Sequence, residues 1–509
     1  MKKQFPNTCS IALFLLTLAL FPVVSKAEKP NVIVIYVDDV GYNDIGCYGS
    51  KDPAIQTPHI DKLAKDGMRF TNWISASNTC APSRAALLTG RYPMRNGVAA
   101  GMNTVGVFGD DHVLHYGLQP SEYTLAELLK DVGYKTAMFG KSHLGFSPEF
   151  FPNKLGFDAY YGSLANYPVG GTCMVWENDK VVDKAGKFQD VHAQLTKRTI
   201  AFMKESQKEK KPFFIYLSHY LAHGPWDPNR QFATDKEWEI YQSQRRRGSL
   251  KNGGDRIYPA LIREMDWHVG KVMTALKDLL LDENTLVFFI SDNGPWLPAG
   301  SAWPLAGSKY NTYEGGHRVP AIVRWPGRVS ANQINDQLMS TMDVFPTVAK
   351  LAGGKMPDDR VIDGKDAQAV LMGQKDAKGH DVLYYYNGQV LEAVREHHWK
   401  LHLPRKKVNK VYWAKQPLGG IHNLDKPMLF NLSSDLAEKN DVAAQHPEVV
   451  QRLLEIAEEA RSELGDWNRQ GSDQKSQKYK GDPNNPKRYP LVKGYWFDFL
   501  KRQGVEIPE

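Results

Sequence analysis

The sequence predicts an α/β protein, in which a sheet is covered by helices on both faces and is followed by a smaller α+β unit. Five short apolar runs have the length and composition of buried strands, and helical stretches lie between the early ones. This alternation favours a sheet that is buried on both sides. The predicted strands are residues 31–37, 135–139, 213–218, 286–291 and 321–325.

Two predicted helices between these strands have recognisable starts. Residues 58–66 follow Thr57, which is a candidate N-cap. Residues 125–132 follow Thr124, and Glu127 lies three positions later, which is the spacing of a capping box. Both segments are short and end at a glycine, as helices that connect strands commonly do.

The pattern changes near residues 371–379. Three short strand-like segments follow, and an amphipathic helix is predicted for residues 448–464. We therefore expect a larger unit at residues 28–375 and, at residues 376–509, a C-terminal α+β subdomain of antiparallel strands and a helix that ends in a polar tail. The three predicted strands of this subdomain are residues 382–386, 389–395 and 399–403.

The first 27 residues have the features of a secretory signal peptide. A positive start precedes an apolar run at residues 11–24, and small residues precede Glu28. The run is shorter than a membrane span, and no other window is long and apolar enough to cross a bilayer. We expect an exported protein, periplasmic or secreted, with no membrane span.

The charge balance is weakly basic. The formal charge of +7 falls to +4 when Lys2, Lys3 and Lys26 are removed with the signal (7 − 3). This excess is too small to indicate a nucleic-acid partner, and it is compatible with an anionic substrate.

Three cysteines remain in the mature chain, namely Cys47, Cys80 and Cys173. An odd number in an oxidising compartment leaves at least one thiol unpaired. Whether Cys47 pairs with Cys173 stays open at this point.

Polar residues follow four of the predicted strands. In open α/β sheets, ligands bind beyond the carboxyl ends of the strands, so these side chains are expected at one edge. They are Asp38 and Asp39 after the first strand, Lys141 and His143 after the second, His219 and His223 after the third, and Asp292 and Asn293 after the fourth.

The acidic part of this set predicts a cation site. Asp38, Asp39, Asp292 and Asn293 offer only oxygen ligands, and crowded carboxylates repel one another unless a cation lies among them. An all-oxygen site favours Ca²⁺ or Mg²⁺ over zinc.

Cys80 is predicted to lie at the N-terminus of a short helix. Pro82 stands near the first turn and Gly90 behind the last residue. Free N–H groups at a helix N-terminus attract anions, and Arg84 lies one turn further along the same side. A small buried cysteine is the ordinary alternative, but the Pro, Ser and Arg at set offsets favour a functional one.

These motifs together resemble the type I sulfatases of the alkaline-phosphatase superfamily, in the arylsulfatase A-like branch. The resemblance extends from about residue 30 to about residue 465 and implies a large mixed sheet sandwiched by helices. One departure is Ser142, where many relatives carry Trp. The matching motifs, in family order, are Asp38-Asp39, Cys80-Ala81-Pro82-Ser83-Arg84 with Leu88-Thr89-Gly90-Arg91, Gly140-Lys141-Ser142-His143, His223-Gly224-Pro225, Asp292-Asn293-Gly294, and Lys309 with Thr312-Tyr313-Glu314-Gly315-Gly316.

The resemblance implies that a separate maturation enzyme oxidises Cys80 to Cα-formylglycine (3-oxoalanine). The hydrated aldehyde would act as the nucleophile on sulfur. It also implies one Ca²⁺ ion per chain, held by Asp38, Asp39, Asp292, Asn293 and the modified Cys80.

The resemblance assigns further roles to individual residues. Arg84 would orient the diol, and His143 would take the proton of its second hydroxyl. Lys141 and Lys309 would clamp the sulfate oxygens. His223 is the preferred general acid for the leaving alcohol, assisted by Lys309; His219 is its rival, unless His219 faces the core.

Three tryptophans lie close to these motifs in sequence. Trp226, Trp296 and Trp303 follow His223 and Asn293 within a few residues, and aromatic faces can stack on sugar rings. A sulfated carbohydrate is therefore the preferred substrate and an aryl sulfate a second one, with simple loop packing as the alternative role of the tryptophans. Two other functions stay open: a phosphomonoester or phosphonate hydrolase, and an inactive protein that binds sulfated glycans.

Overall fold

The computed structural model describes residues 29–99, 117–164, 175–183, 188–224, 226–246, 256–297, 299–405 and 423–475. The predicted signal peptide, Cys173 and the polar tail beyond residue 475 lie outside these ranges. Cys47 forms no disulfide with any described residue, so its pairing with Cys173 stays a question. Within the described ranges, no helix has both the length and the apolar character that crossing a bilayer requires.

A ten-stranded mixed sheet forms the centre of the protein. Its strand order is β11-β2-β10-β9-β1-β8-β4-β5-β6-β7, and β9, β1, β8, β4 and β5 run parallel to one another. The strands are β1 Asn31–Val37, β2 Met68–Phe70, β4 Lys135–Gly140, β5 Ala159–Gly162, β6 Val175–Glu177, β7 Lys180–Asp183, β8 Phe213–Ser218, β9 Thr285–Ser291, β10 Ala321–Arg324 and β11 Gln333–Asn335, while β3 Trp73–Ile74 and β12 Met339–Ser340 pair separately. All five predicted strands of this sheet are confirmed, within one residue at each end.

Helices cover both faces of this sheet, as predicted. Alternate residues of β1 enter two different apolar clusters, one on each side of the sheet. One cluster takes Val32, Val34 and Tyr36, and the other takes Ile33, Ile35 and Val37. The helices of the described residues are α1 Pro58–Lys65, α2 Cys80–Thr89, α3 Pro93–Asn96, α4 Leu125–Asp131, α5 Phe188–Lys208, α6 Asp235–Arg246, α7 Tyr258–Asp278, α8 Glu314–His317, α9 Val344–Leu351, α10 Gln368–Leu371 and α11 Pro447–Leu464.

The two predicted helix caps have different outcomes. The capping box at α4 is confirmed, because the Thr124 side chain accepts from the Glu127 N–H and the Glu127 carboxylate accepts from the Thr124 N–H. Thr57 lies at the N-cap position of α1, as predicted, but its side chain makes no capping hydrogen bond to the helix. Its hydroxyl accepts from the Gly46 N–H and donates to Asp61 instead, which anchors the chain after β1 to the first turn of α1.

The C-terminal part forms a separate antiparallel sheet with one helix against it. Its strands pair in chain order: β13 Val382–Asn387, β14 Val390–Glu396, β15 Trp399–His402 and β16 Met428–Asn431. The first three strands and α11 match the prediction, whereas β16 was not predicted. The apolar cluster beneath this sheet joins Leu383, Leu401 and Leu453 to Ala86 of α2 and Met342, so the smaller sheet shares its core with the larger part of the protein.

Candidate active site

The ends of four parallel strands meet at one edge of the large sheet. Ser218, the last residue of β8, lies opposite Tyr36 of β1 and Gly140 of β4, and Val37 lies opposite Ser291 of β9. The residues after these strands therefore leave the sheet side by side, as predicted. The buried polar residues that follow are Asp38, Asp39, Lys141, His143, His219, Asp292 and Asn293.

Asp38 is paired with two cations. Its Oδ2 lies 2.6 Å from Lys141 Nζ and 3.5 Å from Arg84 Nη2, and all three side chains are shielded from solvent. Burial alone would raise the pKa of Asp38, but the Lys141 ammonium and its neighbours hold it well below the usual range. Asp38 is therefore ionised.

Asp39 forms the second half of the acidic pair. Lys309 Nζ lies 2.7 Å from Asp39 Oδ1 and 2.8 Å from Oδ2, and Asn293 Nδ2 donates to Oδ1 at 2.7 Å. His223 Nε2 lies 3.5 Å from Oδ2. Asp39 has a φ of 59°, a left-handed conformation that is uncommon for a residue with a side chain and that marks the backbone here as constrained.

Asp292 links the acidic pair to Arg84. Its Oδ1 accepts the Asp39 N–H at 3.1 Å, and its Oδ2 accepts from Arg84 Nε at 3.1 Å and Nη2 at 2.6 Å. Burial and the nearby Asp38 charge raise the pKa of Asp292 to about 7. Arg84 also donates to the hydroxyl of Ser218 at the end of β8, so it ties helix α2 to the sheet edge.

Cys80 occupies the first position of α2 and faces this cluster. Its Sγ lies 3.5 Å from Asp38 Oδ1, 3.9 Å from Asp39 Oδ1 and 3.2 Å from Lys309 Nζ. Helix α2 ends at Gly90, whose φ of 67° is the left-handed C-cap expected there. Burial raises the pKa of the Cys80 thiol to about 12, so an unmodified Cys80 is a neutral thiol near neutral pH.

The two candidate acid residues occupy different environments. His223 lies beside Asp39, and its Nδ1 donates to the Gly224 carbonyl, which leaves Nε2 facing the acidic pair. His219 accepts the Leu221 N–H through Nδ1 and packs against the rings of His192 and His268, each with ring centroids 5.3 Å away. His219 thus belongs to a buried histidine cluster.

His143 is buried with a φ of 53°, and neither of its ring nitrogens has a hydrogen-bond partner among the described residues. Burial and the charge of Lys141 lower its pKa well below the usual value. The imidazole is therefore neutral and has a free acceptor nitrogen.

The donor set fits a hard cation. Ligand atoms of Asp38, Asp39, Cys80 and His223 all lie within 4.8 Å of one another. Asn293 Oδ1 is buried and accepts no hydrogen bond from the part of the chain that the structure describes. An amide oxygen without a hydrogen-bond donor, beside two buried carboxylates, is the kind of oxygen ligand that Ca²⁺ prefers.

The three tryptophans differ in exposure. Trp226 is buried, and Trp296 is half-buried against Tyr310, edge to face with ring centroids 5.7 Å apart. Trp303 is 51% exposed and lies in the loop between Asn293 and Lys309. Of the three, Trp303 is the most exposed, and Lys51 Nζ lies over its ring, 4.8 Å from the ring centroid.

Two residues with evident roles at this site were missed from the sequence. Ser218 donates to the Lys141 carbonyl at 2.6 Å and accepts from Arg84, but a serine at the end of a strand carries no distinguishing signal. Glu314 stands in a motif that was noted, yet its role depends on partners more than 70 positions away in the sequence.

Comparisons with known proteins agree with this geometry. The family model described as "Sulfatase" matches residues 30–354, and the model described as "C-terminal region of aryl-sulfatase" matches residues 378–487. Arylsulfatase G of Rattus norvegicus is 33% identical over 489 residues, which cover 85% of this chain and 86% of that protein. N-acetylgalactosamine-6-sulfatase of Canis lupus familiaris is 33% identical over 476 residues, which cover 86% of this chain and 87% of that protein.

Solved structures with the same fold include Ps i-CgsB in complex with k-i-k-neocarrahexaose. It superimposes with a TM-score of 0.71 at 30% sequence identity, and the match covers 87% of this chain and 94% of that one. The likeness extends through both the large sheet and the C-terminal sheet.

Proposed function

Because the chain belongs to the sulfatase family and is a sulfuric ester hydrolase, we propose that it cleaves sulfate esters through a formylglycine derived from Cys80, beside a Ca²⁺ ion. The observation that carries this proposal is the convergence of Cys80 on Asp38, Asp39 and Lys309 at the end of the parallel strands. A phosphomonoester or phosphonate hydrolase and an inactive glycan-binding protein are not favoured.

The state of Cys80 supports a modified nucleophile. A thiol with a pKa of about 12 is a poor nucleophile near neutral pH, because the thiolate is the reactive form. Oxidation to the aldehyde, followed by hydration, supplies two geminal hydroxyls: one attacks sulfur, and the other later loses its proton as sulfate is expelled. Arg84, which is held by Asp292 and Ser218, orients this side chain from one turn further along α2.

Lys141 and Lys309 bind the sulfate oxygens. Both ammonium groups are buried and fixed by Asp38 and Asp39, so they keep their positions while negative charge develops on the ester. Fixed charges in a site shielded from water stabilise a transition state more than mobile charges at a surface do.

Asp38, Asp39, Asp292 and Asn293 are the residues that would hold Ca²⁺. Bound there, the ion would acidify the attacking hydroxyl and neutralise sulfate oxygens. Asn293 Oδ1 is available as a ligand, because it accepts no hydrogen bond within the described ranges.

Proton transfer is divided between two histidines. His143 is neutral and accepts the proton of the second hydroxyl, since its ring nitrogens carry no competing hydrogen bond from any described residue. His223 donates a proton to the leaving oxygen through Nε2 when its ring is in the imidazolium form, and the neighbouring Lys309 assists it. Burial lowers the pKa of His223, whereas the adjacent Asp39 carboxylate favours the protonated ring.

A sulfated carbohydrate is the substrate class that we favour, over an aryl sulfate. The name of one relative, N-acetylgalactosamine-6-sulfatase, refers to a sulfated sugar, and the similar solved structure of Ps i-CgsB holds k-i-k-neocarrahexaose. Trp303 offers an exposed aromatic face in the loop between Asn293 and Lys309, where a sugar ring can stack.

We also propose that residues 1–27 direct export to the periplasm or the medium, and that a formylglycine-generating enzyme acts transiently on Cys80. The positive start and apolar run of the leader support export. The mass of the recovered protein reports both events, since it shows whether the leader is absent and whether an aldehyde replaces the thiol.

The proposed reaction is tested by comparing a matched aryl sulfate and aryl phosphate. We expect faster hydrolysis of the sulfate, and we expect Cys80→Ala to lower that rate by about a thousandfold or more while the protein stays folded, because the nucleophile is lost. Cys47→Ala is the matched control and keeps the wild-type rate. Faster phosphate hydrolysis, or an unmodified thiol at position 80 in active protein, would overturn the assignment.

Calcium binding is measured by thermal unfolding after treatment with a chelator. Added Ca²⁺ should stabilise the folded chain by about 2.7 kcal/mol at a hundred times its Kd, since only the folded state assembles the ligands. Asp39→Asn should abolish this increase. Asp266→Asn should retain it, because Asp266 is a buried residue of α7 whose carboxylate accepts the backbone N–H groups of His59 and Ile60 at the start of α1, away from the proposed ligands. Equal stabilisation of both variants would contradict the site.

The acid role of His223 predicts a dependence on the leaving group. His223→Ala should lower kcat by about a hundredfold for esters of poorly acidic alcohols and by much less for activated aryl sulfates, which need no proton. His219→Gln serves as the comparison and should affect both substrates alike. If His219→Gln shows the selective loss instead, the two roles are reversed.

The carbohydrate substrate is tested by sulfate release from defined sulfated oligosaccharides. Trp303→Ala should lower kcat/KM for these by about two- to tenfold, because a stacking contact is lost, and should leave a small aryl sulfate unaffected. Trp467→Ala is a close control, since Trp467 is 53% exposed, against 51% for Trp303, and lies in the C-terminal part. No sulfate release from any sulfated oligosaccharide would argue against this substrate class.

A further inference from the structure

Glu314 is a fully buried carboxylate at the start of helix α8, and the C-terminal sheet surrounds it with donors. Its Oε2 accepts from Arg395 Nη1 of β14 at 2.8 Å. Its Oε1 accepts from Lys400 Nζ of β15 at 3.0 Å and from the Tyr385 hydroxyl of β13 at 2.8 Å. Burial would raise the pKa of Glu314, but Arg395 and Lys400 keep it well below the usual value. Three adjacent strands of the C-terminal sheet thus bind the ionised carboxylate of Glu314, which belongs to the larger unit.

A second buried carboxylate completes this network. Glu438 accepts the backbone N–H of Glu314 at 2.6 Å and lies 3.0 Å from Lys400 Nζ and 2.8 Å from His402 Nε2. Both the side chain and the backbone of Glu314 are therefore held by the C-terminal part. We call Glu314, Tyr385, Arg395, Lys400 and Glu438 the Glu314 clamp.

The clamp lies directly behind the active site. Lys309 precedes Glu314 by five residues, and its backbone N–H donates to the Pro295 carbonyl at 3.0 Å. Gly294 donates to the Gly316 carbonyl at 3.0 Å, and a Cβ at Gly294 would lie 1.8 Å from the Gly315 oxygen. A Cβ at Gly316 of α8 would lie 2.7 Å from the Ser308 oxygen, so both the turn after Asn293 and the segment with Lys309 pack closely against helix α8.

A second connection reaches Asp292. The ring of Tyr385 packs on His317 with centroids 4.7 Å apart, and His317 Nδ1 lies 2.9 Å from the Ser75 carbonyl. The Ser75 hydroxyl donates to the Asp292 carbonyl at 2.6 Å. Tyr385 therefore contacts both the first residue of α8, Glu314, and the last, His317.

We propose that the C-terminal sheet is a positioning part of the catalytic centre: through the clamp on Glu314, it fixes the segment that carries Lys309. Glu314 is a positioning residue, because it touches neither the sulfate site nor Cys80. This inference rests on the proposed role of Lys309 in binding the sulfate.

The alternative is that the clamp only stabilises the fold. A stabilising role and a positioning role predict different effects when the clamp is altered. A purely stabilising contact changes the unfolding free energy and leaves the folded enzyme unaltered, whereas a positioning contact alters catalysis in protein that is fully folded and does so only while Lys309 is present.

The test is a double-mutant cycle between Tyr385→Phe and Lys309→Ala, with kcat/KM measured on an activated aryl sulfate below the unfolding transition. Tyr385→Phe removes one donor and keeps the ring. It should lower kcat/KM about fivefold when Lys309 is present and by less than about twofold in Lys309→Ala. The matched control is Tyr386→Phe: Tyr386 lies next to Tyr385 in β13, and its hydroxyl donates to the Gly465 carbonyl at the end of α11 instead of to a residue of the clamp. It should leave kcat/KM unchanged in both backgrounds.

Binding of inorganic sulfate, measured by calorimetry, gives a readout without turnover, and Tyr385→Phe should weaken it while Tyr386→Phe does not. Glu314→Gln, measured on protein that folds, should also weaken the binding of inorganic sulfate, by about tenfold or more. Equal behaviour of the two phenylalanine variants, or equal losses with and without Lys309, would overturn the inference. A wild-type protein that releases no sulfate from any ester would instead refute the proposed function, so the two failures are distinguishable.

Discussion

Balanced charge in a buried space is the constraint on which this site depends. Asp38, Asp39 and Asp292 are shielded from water, and each of them lies against a cation: Lys141, Lys309 or Arg84. An unpaired charge in such a place costs several kcal/mol, so removal of one partner changes the environment of all the others. The same pairing that permits three carboxylates to lie together also fixes two ammonium groups and one guanidinium at the point where we propose that the sulfate ester binds.

The parallel sheet makes this concentration of charge feasible. Four strands end in register, so residues far apart in sequence reach one edge without a long loop. The backbone adapts where the side chains must converge: Asp39 and His143 both adopt positive φ immediately after their strands. Two residues of the candidate site thus have a backbone conformation that is uncommon for a residue with a side chain.

Much of this could be predicted from the sequence, because the information was local. Continuous apolar runs identified the strands, Thr124 and Glu127 identified a helix start, and polar residues at strand ends identified the site. Thr57 was correctly placed at the N-cap position, but its hydroxyl donates to Asp61 and makes no capping bond, which a cap pattern does not reveal. Strand β16 lies after a long connection and pairs with β15 through contacts that are distant in sequence.

The Glu314 clamp shows the same limit more clearly. Arg395 and Lys400 are charged residues in short strands, a pattern that ordinarily indicates a solvated face. Their partner is 81 and 86 positions away, respectively, and only the folded chain brings them together. Sequence patterns report which residues are apolar or charged, but the pairing of buried charges is a property of the tertiary structure.

The shared core beneath the C-terminal sheet has a practical consequence. Ala86 of helix α2 and Met342 pack in the same cluster as Leu401 and Leu453, so a fragment that ended near residue 375 would expose an apolar surface and would deprive Glu314 of the cations Arg395 and Lys400. The chain changes from the large sheet to the C-terminal sheet near residue 375, but it cannot be divided there into two independent parts. A minimal version of this enzyme, for engineering or for display on another scaffold, has to retain the C-terminal sheet and helix α11 as well as the large sheet.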